Sequence, residues 1–257
     1  MFRLILVTIY LVLYLVLSSP LMLISFIIKK INRPAGDRFA LSIVNHGGFR
    51  MIQFFTGVKV KVIGHDRIPD GPVLYIGNHR SFYDVILSYQ QVKGPTGYVA
   101  KKEILYAPLL NVWMLLLNCQ FLDRKNPRSG MDMLLKSIDQ IKSGISVCIF
   151  PEGTRNKNPQ SDDLLPFHAG SFKVATKTGA PIVPITINNT STIWEDHFPI
   201  MKAQNVVIEY GEPIYTKDMT KEEIKSIHEK VHGIIQETYI KNKAEYADFI
   251  SKKKNKK

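Results

Sequence analysis

The sequence contains only two cysteines, Cys119 and Cys148, among 257 residues. Two cysteines cannot form the disulfide framework of a small secreted domain, and these two do not have the spacing of zinc ligands. Cys148 lies inside the apolar run VCIF, which is typical of a small core residue. The cysteine content therefore argues against a disulfide-rich or zinc-binding protein and favours a reducing compartment.

Several glycine-based motifs are also missing. The chain has no G-x-x-x-x-G-K phosphate loop, no G-x-S-x-G nucleophile elbow and no G-x-G-x-x-G dinucleotide fingerprint. No period repeats along the chain, and no internal linker rich in glycine or proline divides it. The sequence therefore predicts one globular unit whose chemistry does not depend on any of these three motifs.

Acidic residues are scarce relative to basic ones, with 22 Asp and Glu against 34 Lys and Arg and a net charge of +12. Five of the lysines lie in the C-terminal SKKKNKK, and residues 246–257 are predicted to be a basic, disordered tail. The remaining positive charge suits anionic lipid, nucleic acid or a phosphorylated substrate. Because no array of stacking aromatic residues accompanies the clustered lysines, a nucleic-acid partner is the least favoured.

Charge is absent altogether from Leu4 to Ile28, a stretch bounded by Arg3 and by two lysines. As one helix it is about 37 Å long, more than the roughly 30 Å hydrocarbon core of a bilayer. The stretch is too long for a cleaved signal peptide, and Pro20 predicts a kink within it. Residues 1–56 are therefore predicted to be a helical, hydrophobic, membrane-binding segment.

A second apolar pattern within this segment leaves two interpretations open. Leu41, Val44, Gly48, Met51 and Phe55 recur at steps of three and four residues. They predict either a helix on the membrane surface or an ordinary helix packed on a core. With the first stretch, the pair could span the bilayer once and then lie flat, or form a shallow hairpin in one leaflet.

From residue 57 the sequence alternates between strand-like and helix-like segments. This predicts an α/β domain over residues 57–245, with a mixed, partly parallel sheet flanked by helices. Pro184 cannot donate to a sheet, so its strand is expected at an edge or next to a bulge. Strands are predicted at 58–63, 73–76, 97–100, 119–123, 146–150, 182–187 and 206–210, and helices include 129–143, 170–178 and 221–241.

The stretch VLYIGNHRSFYD, residues 73–84, is a buried strand followed by a polar turn. The strand end presents His79, and Asp84 follows five residues later. A histidine whose tautomer is held by a carboxylate is a general base for a hydroxyl group. Alternatively, Ser81-x-x-Asp84 is a capping box that starts a helix, and the two roles are compatible.

A second polar turn, FPEGTR at residues 150–155, also follows an apolar strand. Backbone amides around Gly153, the Thr154 hydroxyl and the Arg155 guanidinium together predict an anion-binding cradle. Glu152 is expected either to orient Arg155 or to bind a substrate hydroxyl. The alternative is a polar turn with a local Glu152–Arg155 pair.

Four blocks, NHRSFYD, QFLDR, FPEGTR and APIVPITI, occur in the order and approximate spacing of the PlsC-type glycerolipid acyltransferases. Over about residues 58–215 the chain resembles the 1-acyl-sn-glycerol-3-phosphate acyltransferase family. Asn118 departs from the glycine of many members, a mild change because asparagine tolerates positive φ. The resemblance implies catalytic roles for His79 and Asp84. Together with the cradle, it implies substrate-phosphate binding by Lys101, Arg124, Glu152, Gly153, Thr154 and Arg155.

The resemblance further implies transfer of a fatty acyl group from a thioester to the sn-2 hydroxyl of lysophosphatidic acid, giving phosphatidic acid. Acyl-CoA or acyl-acyl carrier protein would be the co-substrate, with no metal and no other cofactor. The expected partners are the lipid bilayer and lysophosphatidic acid, and the expected location is a membrane, with the active site on its cytoplasmic face.

Two alternatives to this function remain open. The acceptor could be glycerol 3-phosphate or a lysophospholipid with a head group. In a different class, the protein could be a non-catalytic membrane protein that binds anionic lipid. The His79–Asp84 pair argues against the second alternative, because a pure binding protein has no use for a base.

Overall fold

A computed structural model describes residues 1–159 and 161–251, in which seven strands form one sheet in the order β1-β7-β6-β2-β5-β3-β4. All neighbouring strands are parallel except β6 and β7, which are antiparallel. The mixed α/β sheet predicted from the sequence is therefore confirmed. The strands are β1 (Lys59–Ile63), β2 (Leu74–Gly77), β3 (Thr96–Lys101), β4 (Gln120–Leu122), β5 (Ser146–Ile149), β6 (Ile182–Asn188) and β7 (Asn205–Tyr210).

The sheet lies between two hydrophobic cores, because successive residues of a strand face opposite sides. Along β2, Tyr75 belongs to the first core, while Leu74 and Ile76 belong to the second. The helices that contribute to the first core are α1 (Phe2–Leu17), α2 (Ser19–Ile31), α3 (Arg33–Ile43), α4 (Arg50–Thr56), α5 (Phe82–Tyr89) and α6 (Leu110–Leu116). Those of the second core are α7 (Pro127–Lys142), α8 (Lys173–Thr178) and α9 (Lys221–Glu245).

Of the two expectations for Pro184, the edge strand is wrong and the bulge is correct, because β6 lies inside the sheet between β7 and β2. The pairing beside the proline is irregular. Ile185 is paired with Tyr210. Ile182, three residues before Ile185, is paired with Ile214, which lies four residues after Tyr210. The segment from Tyr210 to Ile214 therefore has one residue more than the segment of β6 that it is paired with. A bulge there removes the need for a regular ladder bond from Pro184.

The uncharged N-terminal stretch forms α1 and α2, which are bent by 50° relative to each other at Ser18. Pro20 lies in the first turn of α2, where its missing N–H would have no helical partner in any case. Within the described residues no single helix has the length and apolarity needed to cross a bilayer, but the bent pair meets both requirements when counted together.

One side of α1 exposes a stripe of apolar side chains. Ile5, Ile9, Val12 and Val16 follow each other at steps of three and four residues, and each is more than half exposed. Four such residues on one side of a helix form a continuous apolar strip along its length. This strip faces away from the protein.

The Leu41–Phe55 segment comprises the end of α3, six π-helical residues and α4. Val44 and Ile52 are buried in the first core, and Leu41 and Phe55 pack against it. The core-packing interpretation of this segment is therefore confirmed. The helices of residues 1–56 share a hydrophobic core with the sheet and are not a separate body.

A buried polar network ties these helices to the sheet. The Lys29 ammonium group contacts Asp37 Oδ1 at 2.7 Å and donates to Asn118 Oδ1 and the Leu116 carbonyl, each at 2.8 Å. Asn118 has the positive φ expected for this position, 61°, and its amide donates to Asp37 at 3.0 Å. Gly36 permits the close approach of α3 to α2, because a Cβ there would lie 2.4 Å from the Lys29 Cα.

The first residues of the predicted tail belong to the fold. Ala247–Ile250 form a last short helix, α10, and the Asn205 amide donates to the Phe249 carbonyl at 2.6 Å. This contact joins residue 249 to β7, so the boundary at residue 246 is too early. Residues 252–257 of the predicted disordered tail lie outside the described residues.

Candidate active site

The carboxyl end of β2 delivers His79 to the edge of the sheet, where α/β proteins commonly bind ligands. Between the strand and the histidine, Asn78 is fully buried and extends the pairing with β6. Its amide donates to the Ile187 carbonyl at 2.9 Å, and its Oδ1 accepts from the Ile187 N–H at 2.8 Å. Asn78 therefore fixes the backbone from which the imidazole projects.

The His79 ring is held on two sides. Its Nδ1 lies 2.9 Å from Asp84 Oδ2, and its plane stacks on Phe150 with ring centroids 4.4 Å apart. Because the carboxylate can only accept, Nδ1 donates and the neutral ring presents Nε2 as a base. Nε2 has no hydrogen-bond partner among the described residues, and the side chain is 17% exposed. The arrangement can accept a proton from a bound hydroxyl group.

Asp84 is fully buried and has both roles that the sequence allowed. Its Oδ2 also accepts from the backbone N–H groups of Arg80 and Ser81, each at 2.7 Å, which completes a capping box at the start of α5. Its Oδ1 accepts from the Thr190 hydroxyl. The carboxylate is therefore fixed by groups other than the histidine that it orients.

Glu152 lies directly behind this pair and is 4% exposed. Its Oε1 accepts from the backbone N–H of His79 at 2.7 Å, and its Oε2 accepts from the backbone N–H of Leu165 at 3.2 Å. Burial raises the pKa of Glu152 to about 7, although these two hydrogen bonds oppose the shift. The hypothesis that Glu152 orients Arg155 is wrong, because Glu152 instead holds the backbone of the histidine.

The raised pKa of Glu152 predicts a pH dependence of stability. The folded protein keeps this proton up to about pH 7, whereas an unfolded glutamic acid loses it near its ordinary value. The contribution of Glu152 to the free energy of unfolding therefore falls as pH rises from about 4.5 to 7, by at most about 1.4 kcal/mol per pH unit. Urea unfolding of wild type and Glu152→Gln over this pH range measures the difference.

Glu237→Gln is the matched control for that experiment, because Glu237 is exposed. We expect the gap in unfolding free energy between wild type and Glu152→Gln to shift with pH, and the gap for Glu237→Gln to stay constant. A pH-independent gap for Glu152→Gln would contradict the shifted titration.

Four of the predicted phosphate-binding residues line one cleft, here called the Arg124 cleft. They are Arg124, Glu152, Gly153 and Thr154, and His168 joins them. Gly153 has φ of 67°, which favours glycine, and a Cβ there would lie 3.2 Å from the His168 ring. An exposed arginine, a hydroxyl and a glycine turn are together suited to an anion.

Arg155 lines a different cleft, here called the Arg155 cleft. Its guanidinium donates to Glu195 Oε1 at 3.0 Å and stacks over the Phe82 ring at 3.9 Å from the centroid. Glu195 also accepts from the Ser81 hydroxyl and the Phe82 N–H, each at 2.8 Å. The lining residues are Arg80, Phe82, Arg155, Asn156, Lys157, Trp194, Glu195, Asp196 and Phe198.

Lys101 lines neither cleft. It is half exposed at the end of β3 and contacts Glu103 Oε1 at 3.2 Å. Its strand position is paired with Leu122, which belongs to the Arg124 cleft. The structure thus places Lys101 near that cleft but directs its ammonium group to a neighbouring carboxylate.

Sequence reasoning missed three residues of the site. Glu195 lies in a short 3₁₀ turn, 40 residues from Arg155 and more than a hundred from Ser81 and Phe82, and no local pattern marks it. His168 directly precedes a 3₁₀ turn, so the sequence around it indicates only the start of a helix and gives no sign of the cleft. Asn78 carried a usable signal, because a buried amide at a strand end directly precedes the histidine.

Comparison with known proteins gives consistent matches. The family described as Acyltransferase matches residues 59–188. A 1-acyl-sn-glycerol-3-phosphate acyltransferase of Saccharomyces cerevisiae is 30% identical over 74% of this chain and 63% of its own length. One from Borreliella burgdorferi is 31% identical over 63% of this chain and 61% of its own length.

The crystal structure of the 1-acyl-sn-glycerophosphate acyltransferase PlsC from Thermotoga maritima has the same fold, with a TM-score of 0.77 at 24% identity. That likeness covers 95% of this chain and 98% of the PlsC chain. The chain spans about three fifths of the length of the curated relatives named above. The family match covers half of the chain and includes His79, Asp84 and the FPEGTR turn. The chain belongs to the acyltransferase family.

Proposed function

We propose that the protein transfers a fatty acyl group from a thioester to the sn-2 hydroxyl of 1-acyl-sn-glycerol 3-phosphate, giving phosphatidic acid. The observation that carries the proposal is the His79–Asp84 pair, with its 2.9 Å contact and an Nε2 that has no partner in the part of the chain that the structure describes. The names of the relatives support this acceptor, because they specify 1-acyl-sn-glycerol 3-phosphate.

The proposed acceptor places its phosphate in the Arg124 cleft. Arg124 supplies a charge-assisted contact, and the Thr154 hydroxyl and the backbone around Gly153 supply neutral ones. Glu152 places this cleft next to the proposed catalytic pair, because it lines the cleft and accepts a hydrogen bond from the backbone N–H of His79. An acceptor whose phosphate is bound there is held beside His79. Its hydroxyl group is then oriented for the reaction, which raises the rate.

The proposed reaction is a direct transfer. His79 Nε2 removes the proton from the sn-2 hydroxyl while that oxygen attacks the thioester carbonyl carbon. Asp84 stabilises the imidazolium ion that forms. The carbon–sulfur bond then breaks, and the imidazolium returns the proton to the thiolate that leaves. No covalent enzyme intermediate is needed, and both cysteines are buried.

A parallel assay tests this function. The purified full chain, in mixed vesicles, is given a radiolabelled acyl donor with lysophosphatidic acid, glycerol 3-phosphate or lysophosphatidylcholine. We expect labelled phosphatidic acid from the first acceptor at a rate well above the other two. A faster reaction with either other acceptor would contradict the acceptor assignment, and no transfer to any acceptor would favour the non-catalytic lipid-binding alternative.

The proposal includes binding to a membrane, with the active site on the cytoplasmic face where thioester donors occur. The support is the exposed apolar stripe of α1, together with a net charge of +12 that attracts anionic lipid. Both the proposed acceptor and the product are lipids, so a site at the bilayer surface has access to them without extraction.

Replacing the stripe tests the membrane role without removing the helix. We expect the combined change Ile5→Ser, Ile9→Ser, Val12→Ser and Val16→Ser to weaken binding to anionic vesicles by on the order of 100-fold, because each side chain loses part of its apolar transfer energy. Co-sedimentation with the vesicles measures this, and activity on a soluble short-chain acceptor should be retained.

The matched control is Met131→Ser with Leu135→Ser, two equally exposed apolar residues of α7. The control should bind vesicles as wild type does. Equal weakening by both sets of changes would mean that the stripe has no special role.

A further inference from the structure

The backbone of His79 is held on both sides. Its N–H donates to Glu152 Oε1 at 2.7 Å, and its carbonyl accepts from the backbone N–H of Asn156 at 2.8 Å. Glu152 lies within the FPEGTR turn and Asn156 directly after it. Because a side chain moves with its backbone, these two hydrogen bonds help to fix the position of the imidazole ring.

The two groups that hold His79 are themselves held by one loop, here called the supporting loop, which comprises residues 156–159 and 161–165. Glu152 Oε2 accepts from the backbone N–H of Leu165 at 3.2 Å. The side-chain amide of Asn156 donates to the carbonyl of Asp163 at 2.8 Å. The supporting loop therefore sets the positions of both hydrogen-bond partners of the His79 backbone.

Arg80, the residue after His79, is 4% exposed and lies against the supporting loop. Its guanidinium donates to three carbonyl oxygens of the loop, those of Asn158 at 3.0 Å, Ser161 at 2.7 Å and Asp163 at 3.2 Å. A buried cation without acceptors is costly. A conformation of the loop that withdrew these carbonyls is therefore disfavoured, and Arg80 keeps the loop in place.

The contacts of Arg80 favour this internal role over substrate binding. The side chain lines the Arg155 cleft, but both terminal nitrogens of its guanidinium donate to carbonyls of the chain itself. The Tyr239 ring lies on the guanidinium, with its centroid 5.1 Å from the central carbon. An anion in the cleft would have to compete with the supporting loop for the same donors.

The helix α9 also holds the supporting loop. Gln236 Oε1 accepts from the backbone N–H of Leu164 at 2.8 Å, and its Nε2 donates to the carbonyl of Asp162 at 3.0 Å. The Lys243 ammonium group contacts the Asp162 carboxylate at 2.6 Å. The loop is thus joined both to the strand end that carries the proposed base and to a helix of the second core.

We propose that Arg80 is a positioning residue for His79. Through the supporting loop it fixes Glu152 and Asn156, and these two residues fix the backbone from which the proposed base projects. In this role Arg80 contacts no reacting atom, and its charge binds the loop instead of a substrate. The inference rests on the proposed function, because the position of His79 sets the reaction rate only if His79 is the base.

Replacing the guanidinium tests this role. Arg80→Met keeps an apolar side chain in the space but cannot bind the three carbonyls. Misplacement of a reacting group by about 1 Å can cost about 100-fold in rate. We therefore expect kcat for acyl transfer to fall by on the order of 30- to 100-fold, with KM for lysophosphatidic acid and for the acyl donor within about threefold of wild type. Arg80→Lys keeps a cation that can bind some of the carbonyls, so it should recover part of the lost kcat.

Arg67→Met is the matched control. Arg67 also donates to a backbone carbonyl, that of Tyr210 at 3.0 Å, and its guanidinium contacts residues 209–212 at and after the end of β7. Its kcat should stay near wild type. An unchanged kcat in Arg80→Met would overturn the inference. A raised KM with an unchanged kcat would also overturn it, because Arg80 would then be a substrate-binding residue.

Gln236→Met keeps the test decisive if Arg80→Met does not fold. This change removes both hydrogen bonds from Gln236 to the supporting loop and leaves Arg80 in place. We expect kcat to fall by about 5- to 10-fold with little change in either KM. Glu237→Gln, an exposed neighbour on the same helix, should have no effect. A wild-type kcat in Gln236→Met would contradict the role of the loop.

The ring nitrogens of His79 provide a measurement that does not depend on turnover. In NMR spectra of the full chain with isotope-labelled histidine, the His79 signals are those missing from His79→Ala. We expect these signals to shift in Arg80→Met or Gln236→Met and not in Arg67→Met, because movement of the backbone changes the contact with Asp84. Acyl transfer by wild type, with unshifted signals in the loop variants, would overturn the inference and leave the function standing. Shifted signals without acyl transfer by wild type would support the positioning and refute the function.

Discussion

Replacing His79 by alanine is expected to lower kcat for acyl transfer by on the order of 10³- to 10⁴-fold, because the proposed general base is lost. The fold should survive the change. Asn78 fixes the end of β2 through Ile187, and the ring itself contributes only its stacking on Phe150 and its contact with Asp84. Steady-state assays at saturating substrates measure the effect, and circular dichroism checks the fold.

Asp84→Asn separates orientation of the base from the structure of the turn. The asparagine oxygen can still accept from the N–H groups of Arg80 and Ser81, and its amide can donate to the Thr190 hydroxyl. That oxygen can also still accept from His79 Nδ1, but the negative charge that stabilises the imidazolium ion is lost, so we expect a loss of kcat of similar order with nearly normal stability.

His46→Ala is the control for these variants, because His46 is exposed and contacts only Ser42 among the described residues. It should keep wild-type turnover. If His79→Ala retained even a tenth of the wild-type kcat, the general-base assignment would be wrong.

The contact between His79 and Asp84 could be predicted from the sequence because its information is local. His79 and Asp84 are five residues apart, and a strand end followed by a capping box leaves few ways to arrange them. The strand and the helix start are each marked by short patterns, an apolar run and Ser81-x-x-Asp84. Because local geometry alone decides the contact between His79 and Asp84, the sequence motif was enough to predict it.

The division of the site into two clefts could not be predicted in this way. The contact between Arg155 and Glu195 depends on how a turn after β6 packs against the start of α5, and no periodic pattern records this packing. The motif therefore suggested one phosphate clamp, whereas the structure brings Arg124 and Arg155 to different clefts. The partner of Glu152 was misassigned for the same reason.

Pro184 and the segment from Leu41 to Phe55 illustrate a second limit of prediction from sequence patterns. Propensity allows a proline at a sheet edge or next to a bulge without choosing between them, and the structure has the bulge. An amphipathic period shows that a helix has an apolar face without saying what covers it. Here the covering surface is the core of the sheet domain, with Val44 and Ile52 buried in it.

The second prediction with a large expected effect concerns the buried polar network around Lys29. Lys29→Met is expected to lower the free energy of unfolding by about 3–5 kcal/mol, because it leaves the carboxylate of Asp37, 3% exposed, without its 2.7 Å partner. The Asn118 amide would remain as a neutral donor to Asp37. Urea unfolding followed by circular dichroism measures the loss.

A compensating variant and a surface control make this prediction specific. Arg33→Met removes a cation that is 52% exposed and 3.9 Å from Asp37, so it should cost less than about 1 kcal/mol. Adding Asp37→Leu to Lys29→Met removes the unpaired charge and should restore part of the lost stability. If the two single changes, Lys29→Met and Arg33→Met, cost the same, the buried ion pair would not be what holds helices α2 and α3 to the turn before β4.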